Sequence, residues 1–340
     1  MRFIGGKSNL LPEIESVIQE KSAGFCNLID IFSGSGSVTT YLKTKGYNVI
    51  ANDIMYFAYV LLRGSTGLSC EPNFRSLDIE DPIKYLNDIR LEDSGLNIEE
   101  CFIYQNYTPH DDINRMYFQP KNAKKIDAIR LTIENWHRAG QISEDEYYYL
   151  LASLIAAVPY VSNITGVYGA YLKHWDKRTY NDLRLEKPEI IKTGHVYVYN
   201  ENSNSLLPRI EGDILYADPP YNTRQYLPNY HILETVARYD YPEIHGVTGM
   251  RDYENQKSDF CSKAKVETAF RNLIENARVK HILISYNSEG LLSTEILTSI
   301  CEDYAKSGTF ELKEIDYRRY NNAGTKPGGV TEQLYYFQKR

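Results

Sequence analysis

No apolar stretch of this chain is long enough to cross a membrane. The longest, Leu150 to Val161, is broken by Ser153 and Pro159 and falls well short of the roughly 20 residues a spanning helix needs. A secretory leader is not legible either, because the sequence reaches Gly5-Gly6-Lys7 before any apolar segment of sufficient length. A cytoplasmic protein without a membrane partner is expected. Cysteine is sparse: Cys26, Cys70, Cys101, Cys261 and Cys301 lie far apart, with no C-x-x-C and no paired histidines. That excludes a disulfide framework and a zinc site, so the expectation is no metal and five buried, reduced thiols. Cationic excess is also lacking. The 38 Lys and Arg face 45 Asp and Glu, a formal charge of −7, which argues against indiscriminate binding of polyanions. Any nucleic-acid contact must come from local basic patches. Tyrosine, by contrast, is plentiful, with 30 residues against 11 Phe, and its ring can stack on a base while its hydroxyl stays wet.

At 340 residues the chain suits one large or two ordinary domains. Asn27 to Phe32 is a short apolar run ending in Ser33-Gly34-Ser35-Gly36-Ser37, followed by residues that can start a helix through Tyr41 and Leu42. Tyr47 to Ala51 is a second short strand that stops at Asn52-Asp53. Together they read as a β-α-β unit of a parallel sheet. From about Leu68 no further parallel-strand unit appears until Val196. The intervening stretch predicts helices: one capped by Asn122 with Ala123, Ile126, Ile129, Ile133 and Trp136 on its apolar stripe, and one opened by the capping box Ser143 to Glu146. Strand signals return at His195–Tyr199, Asp213–Ala217 and His281–Ser285. Phe310–Tyr320 and Thr331–Gln338 predict an antiparallel closing pair joined by a Gly/Asn/Pro turn.

The strongest local signal is Asp218-Pro219-Pro220-Tyr221, placed directly after the strand ending at Ala217. Ligands of an α/β sheet sit at the carboxyl ends of its strands, and two consecutive prolines hold the loop rigid. The loop presents one carboxylate, one carbonyl and one aromatic ring. The exocyclic amine of adenine is a poor nucleophile because its lone pair is delocalised into the ring. Asp218 and the Pro219 carbonyl could hold both amino hydrogens and aim the rehybridising lone pair while Tyr221 stacks on the ring face. Phe32-Ser33-Gly34-Ser35-Gly36 supplies a close approach to the backbone, and Asp53 could accept both hydroxyls of a ribose. A nicotinamide enzyme would use the same logic, but the third glycine position of that fingerprint is Thr39 here.

In their order, Gly5-Gly6-Lys7, Asp30-Ile31-Phe32-Ser33-Gly34-Ser35-Gly36, Asn52-Asp53 and Asp218-Pro219-Pro220-Tyr221 resemble the motifs of Dam-like (alpha-group) adenine-N6 DNA methyltransferases. Asn222 to His231 and Val161 to Arg178 resemble the FokI-methylase type within that group. The resemblance spans nearly the whole chain. It implies a Rossmann-like α/β methyltransferase sheet, S-adenosylmethionine as methyl donor, and an adenine of double-stranded DNA flipped out of the duplex as acceptor. Carried over residue by residue, Lys7, Phe32, Ser33, Gly34 and Gly36 would hold the methionine part of the donor and Asp53 its ribose. Asn202 stands where the family often has an acidic residue on the donor's adenine. Asp218, Pro219 and Tyr221 would hold the target base.

The resemblance also implies a target-recognition region between the donor and D-P-P-Y motifs. A discontinuous catalytic domain, residues 1–67 and 195–340, is therefore expected around a largely helical recognition insert at 68–194. That insert carries Arg115, Lys121, Lys124, Lys125, Arg130 and Arg138, and farther on Lys173, Lys177 and Arg178 beside His174 and Trp175. Such cations beside aromatics suit phosphate contacts and base reading. Arg318, Arg319 and Lys326 form a third patch. His231, close behind the D-P-P-Y loop, reads as structural rather than as a general base. The expected activity is that of the modification enzyme of a restriction–modification system, with a cognate endonuclease acting separately. The alternatives are a cytosine-N4 or RNA adenine methyltransferase, or a non-catalytic DNA-binding protein on the same scaffold.

Overall fold

The computed structural model describes residues 7–21, 24, 26–317 and 330–340. Gly5, Gly6, Arg318, Arg319 and Lys326 lie outside the described residues. Seven strands form the main sheet: β1 (Asn27–Asp30), β2 (Asn48–Asn52), β3 (Val196–Tyr199), β4 (Ile214–Ala217), β5 (His281–Asn287), β6 (Glu311–Tyr317) and β7 (Val330–Gln338). Their order is β6-β7-β5-β4-β1-β2-β3. All pairs from β5 to β3 are parallel, and β7 runs antiparallel to both β5 and β6. The expected α/β fold and its antiparallel closing pair are thus both present.

β4 and β5 are buried from end to end, as apolar runs without alternation imply for parallel strands covered on both faces. Ile29, Leu215, Ala217, Ile282 and Ile284 of the sheet pack with Phe270, Leu273, Leu297 and Ile300 from the helices Val266–Asn276 and Thr294–Tyr304. The chain order reverses between β1 and β4. From β1 the sheet grows through β2 and β3 to one side, and from β4 through β5 to the other. In open α/β sheets such a switch point leaves a crevice at the carboxyl ends of the two strands, where ligands bind. Asp30 pairs in register with Tyr216, so the loops that follow β1 and β4 start side by side.

The described chain divides into two compact units. One carries the sheet and comprises Lys7–Ile54, Thr193–Gln225 and Asn255–Arg340; the other contains Met55–Lys192 and Tyr226–Glu254. The second unit is mainly helical, with long helices at Pro120–Arg138, Glu144–Ala157 and Leu227–Arg238. The capping box is present as expected: Ser143 accepts from the Glu146 amide and Glu146 accepts from that of Ser143. Asn122 is not a cap. Its helix begins two residues earlier, at Pro120, and its buried amide instead ties down the following segment, donating to the Thr179 and Asn181 carbonyls and accepting from Leu183 N–H. Proline at the first helical position, where no N–H is needed, outcompetes a cap farther in. Gly64 closes the helix Tyr56–Arg63, and a Cβ there would lie 2.0 Å from the Tyr148 carbonyl oxygen, so only glycine fits this helix–helix contact. Three cysteines are buried as expected, but Cys26 and Cys70 are exposed, since both sit in surface connections rather than on an apolar stripe. No described helix is long and apolar enough to cross a membrane.

Candidate active site

The turn after β1 is shaped by Gly34 and Gly36, at φ 51° and 78°, left-handed values that glycine adopts without a Cβ clash. Ser33 stitches this turn to the end of β2. Its amide donates to the Asn52 carbonyl at 2.9 Å, and its hydroxyl donates to the Asp30 carbonyl at 2.8 Å while accepting from Asn52 N–H at 3.1 Å. One residue past β2, the buried Asp53 accepts the Gly34 amide at 2.8 Å. Asn200 holds the other side of Asp53 by donating to its carbonyl at 2.7 Å. Phe32 seats its ring edge-on against Phe260, 5.2 Å between centroids. Phe32, Ser33, Gly34, Gly36 and Asp53 are therefore one assembly at the ends of two adjacent strands.

Asp30, the last residue of β1, is fully buried. Its Oδ2 accepts from Thr39 Oγ at 2.6 Å, whereas its Oδ1 accepts no hydrogen bond among the described residues. Burial pushes this carboxyl up to about 7; the Thr39 hydroxyl opposes the shift, and the charges of Asp218 and Asp53 add to it. A buried acceptor without a partner is costly, so Oδ1 is open to a hydrogen-bond donor brought by a ligand at the glycine turn.

Asp218 follows β4 directly, its side chain 19 % exposed, with Lys7 Nζ 3.1 Å from Oδ1. Burial raises its carboxyl to about 6; Lys7 pulls it down and Glu332 pushes it up. Lys7 is itself buried and also donates to Glu332 on β7. Burial disfavours its ammonium, but the two carboxylates outweigh that and raise it above the ordinary lysine range. Ser285 on β5 donates to Glu332 at 2.8 Å. Pro219 is buried, and the Tyr221 carbonyl accepts from Leu291 N–H at 2.9 Å while its ring packs partly against the sheet core. Glu332 and Ser285 are the site residues that sequence reasoning missed. Both strands are legible in the sequence, but the residues lie far from the motifs; the pairing of β7 with β5 brings Ser285 to Glu332, and Lys7 links Glu332 to Asp218.

A carboxylate acceptor steadied by an ammonium, a rigid aromatic loop and a glycine turn with an acid on the next strand thus share one switch point. The family model of D12 class N6 adenine-specific DNA methyltransferases matches residues 3–300. The chain belongs to that family. It is 45% identical over 345 residues to the type II methyltransferase M.FokI of Planomicrobium okeanokoites, across 100% of this chain and 53% of that protein. It is 40% identical to the modification methylase StsI of Streptococcus sanguinis, covering 52% of it. Thus the chain spans about half the length of these relatives. With the type II methyltransferase M.NlaIII of Neisseria lactamica the match is 38% over 352 residues, 100% of this chain and 99% of that one.

In this D12-family chain Asn202 caps a short helix, accepting from Asn204 N–H at 3.0 Å. Its neighbour Glu201 pairs with Arg209. The basic residues separate into two kinds. Lys121 donates to the Tyr180 carbonyl at 2.8 Å and to Asp182 at 2.7 Å, Lys125 donates to the Asn87 carbonyl, and Lys124 lies 5.0 Å over the Tyr104 ring. Arg130, read from sequence as part of a basic patch, is buried and donates to the Val236 and Ala237 carbonyls and to Glu134. These cations have internal partners in the helical unit. Lys173, His174 and Lys177 are exposed, and Lys173 and Lys177 form no ion pair among the described residues. Arg178 is fixed by Asp176 at 3.2 Å and by the Ile164 carbonyl at 2.9 Å. His231 is fully buried, its Nε2–H donating to the Tyr168 carbonyl at 3.0 Å, and burial lowers it to about 4. That keeps the ring neutral as a packing element.

Proposed function

We propose that this chain transfers a methyl group from S-adenosylmethionine to the N6 amine of adenine in double-stranded DNA, as the modification enzyme of a restriction–modification system. One observation carries the reading: Asp218, clamped by Lys7, stands at the carboxyl end of β4 beside the left-handed glycine turn of β1. Family membership supports the same reaction.

S-adenosylmethionine bound at the glycine turn supplies an electrophilic methyl group. Gly34, Gly36 and Phe32 would give the donor its backbone approach, Asp53 a partner for the ribose, and Asp30 Oδ1 an acceptor for a cationic donor group. Asn202 would face the donor's adenine. We assign Lys7 to the acceptor side, because its ammonium already lies against Asp218 and Glu332. On that side Asp218 and the Pro219 carbonyl accept the two amino hydrogens, which concentrates the lone pair on nitrogen and stabilises the positive charge it gains. Extruding the base from the duplex costs a few kcal/mol, part of which stacking on Tyr221 offsets. Lys173, His174, Lys177 and Arg178 are our candidates for DNA contact, with Lys173 and Lys177 free to meet phosphates.

Incubating the chain with methyl-labelled S-adenosylmethionine and, separately, double-stranded DNA, RNA and protein tests the reading. Label in DNA, recovered as N6-methyladenine after nucleoside digestion, is expected. Label recovered as N4-methylcytosine or only in RNA would replace it.

A further inference from the structure

We propose that Glu332 is a positioning residue for Asp218, acting through Lys7, and that the trio Asp218–Lys7–Glu332 keeps one net negative charge beside the acceptor amine. This deepens the reading above and rests on it. Lys7 is 7 % exposed and Glu332 4 %. The ammonium lies 3.1 Å from Asp218 Oδ1 and donates to Glu332 Oε1, which also receives the Ser285 hydroxyl at 2.8 Å. A salt-bridged Asp218–Lys7 pair alone would be neutral and would present only a dipole to the substrate. The second carboxylate restores the charge in a buried place, where it acts more strongly than in water.

The obvious rival is a structural lock between the N-terminal segment and the last strand. A neutral amide at 332 would serve as well for that, since its oxygen could still accept from both Lys7 and Ser285. Burying a second carboxylate carries a desolvation cost, and the charge is the one thing the amide would not provide. During methyl transfer the amine nitrogen becomes cationic, so a net negative site favours that moment over the ground state. The charged and titratable groups that act on Asp218 are Lys7 ahead of the helix Leu11–Lys21, Glu332 on β7, Tyr216 on β4 and Asp30 at the end of β1, with Asp53 in turn acting on Asp30. Glu332 divides the ammonium with Asp218, so the basicity of Asp218 depends on what happens to Glu332.

The test uses the full chain, with the wild type first shown to methylate adenine in unmodified plasmid DNA; failure there would overturn the parent reading and not this one. Single-turnover methylation by Glu332→Gln is expected to fall roughly tenfold or more, while donor affinity stays near normal. Its acid limb should move down by roughly half a pH unit, because a carboxylate neighbour of Asp218 is gone. Ser285→Ala, which leaves Lys7 as the remaining described partner of Glu332, should move the limb the other way. A carboxyl-carbon NMR titration of the free protein, with Asp218→Asn for assignment, reads the same two shifts without donor or DNA. Folded variants with unchanged rates and unmoved Asp218 titration would reduce Glu332 to a structural lock and overturn the proposal. If Glu332→Gln does not fold, an unmoved titration in Ser285→Ala alone has that force.

Discussion

Glu234, on the helix Leu227–Arg238, closes the start of a helix 177 residues earlier by accepting the Phe57 amide at 2.9 Å. The same carboxylate accepts Tyr56 N–H at 3.1 Å and Arg238 Nε at 2.7 Å, and it is fully buried. A helix start leaves amides unpaired, and Met55 at the cap position cannot accept them.

Glu234→Ala should therefore destabilise the helical unit by about 3 kcal/mol, because it strands the amides and removes the partner of Arg238. Glu234→Gln, which retains one acceptor oxygen, should lose less than half as much. Urea unfolding followed by circular dichroism checks both; equal stability of Ala and wild type would contradict the capping role.

Asp218→Ala should leave the fold and most donor binding intact while methyl transfer falls roughly 100- to 1,000-fold or more. In the proposed reaction the carboxylate accepts the amine hydrogens and so has to be unprotonated. Since burial raises Asp218 to about 6, the single-turnover rate should be lost as pH falls through about 6. Rates measured from pH 5 to 8 check this, and a limb near 4 would place Asp218 in an ordinary aqueous setting.

Asp53→Ala should weaken S-adenosylmethionine binding more than it slows chemistry at saturating donor. A charged hydrogen bond is worth about 1.5 to 3 kcal/mol, and the variant also leaves the Gly34 amide without the acceptor it has at 2.8 Å. Calorimetry with the free donor measures the loss. Unchanged affinity would move the ribose site elsewhere.

The two sets of lysines should behave differently. Replacing Lys173 and Lys177 by Ala should weaken all DNA binding and flatten its salt dependence by about one unit of slope per lost phosphate contact. Replacing Lys121 and Lys125 should instead lower stability, since their ammonium groups serve Tyr180, Asp182 and Asn87. Binding isotherms at several salt concentrations separate the outcomes; a slope that changes only in the second pair would reverse the assignment.

The main sheet is legible in the sequence where strands are short apolar runs punctuated by glycine or Asp-Pro-Pro. β1, β2 and β4 fall where those signals stand, and the glycine turn and Asp218 converge as their positions at strand ends imply. β5 runs two residues beyond its apolar signal, to Asn287, because β7 pairs with it along its full length. Charge is less readable. Arg130 and Lys125 look like solvated cations in a basic helix, yet their side chains reach backbone carbonyls in distant segments, which no local pattern encodes. Glu332 was hidden for the same reason, as its meaning depends on a partner 325 residues away.

That separation also orders the events of biosynthesis. Lys7 is made before Asp218, and Glu332, on β7, only after both. A nascent chain can thus display both sequence motifs while the electrostatic setting of Asp218 is still incomplete. A premature stop before β7 should yield a protein that keeps Asp218, its partner Lys7 and the glycine turn but has lost the second carboxylate that shares the ammonium. For such a chain, motif content would overstate competence.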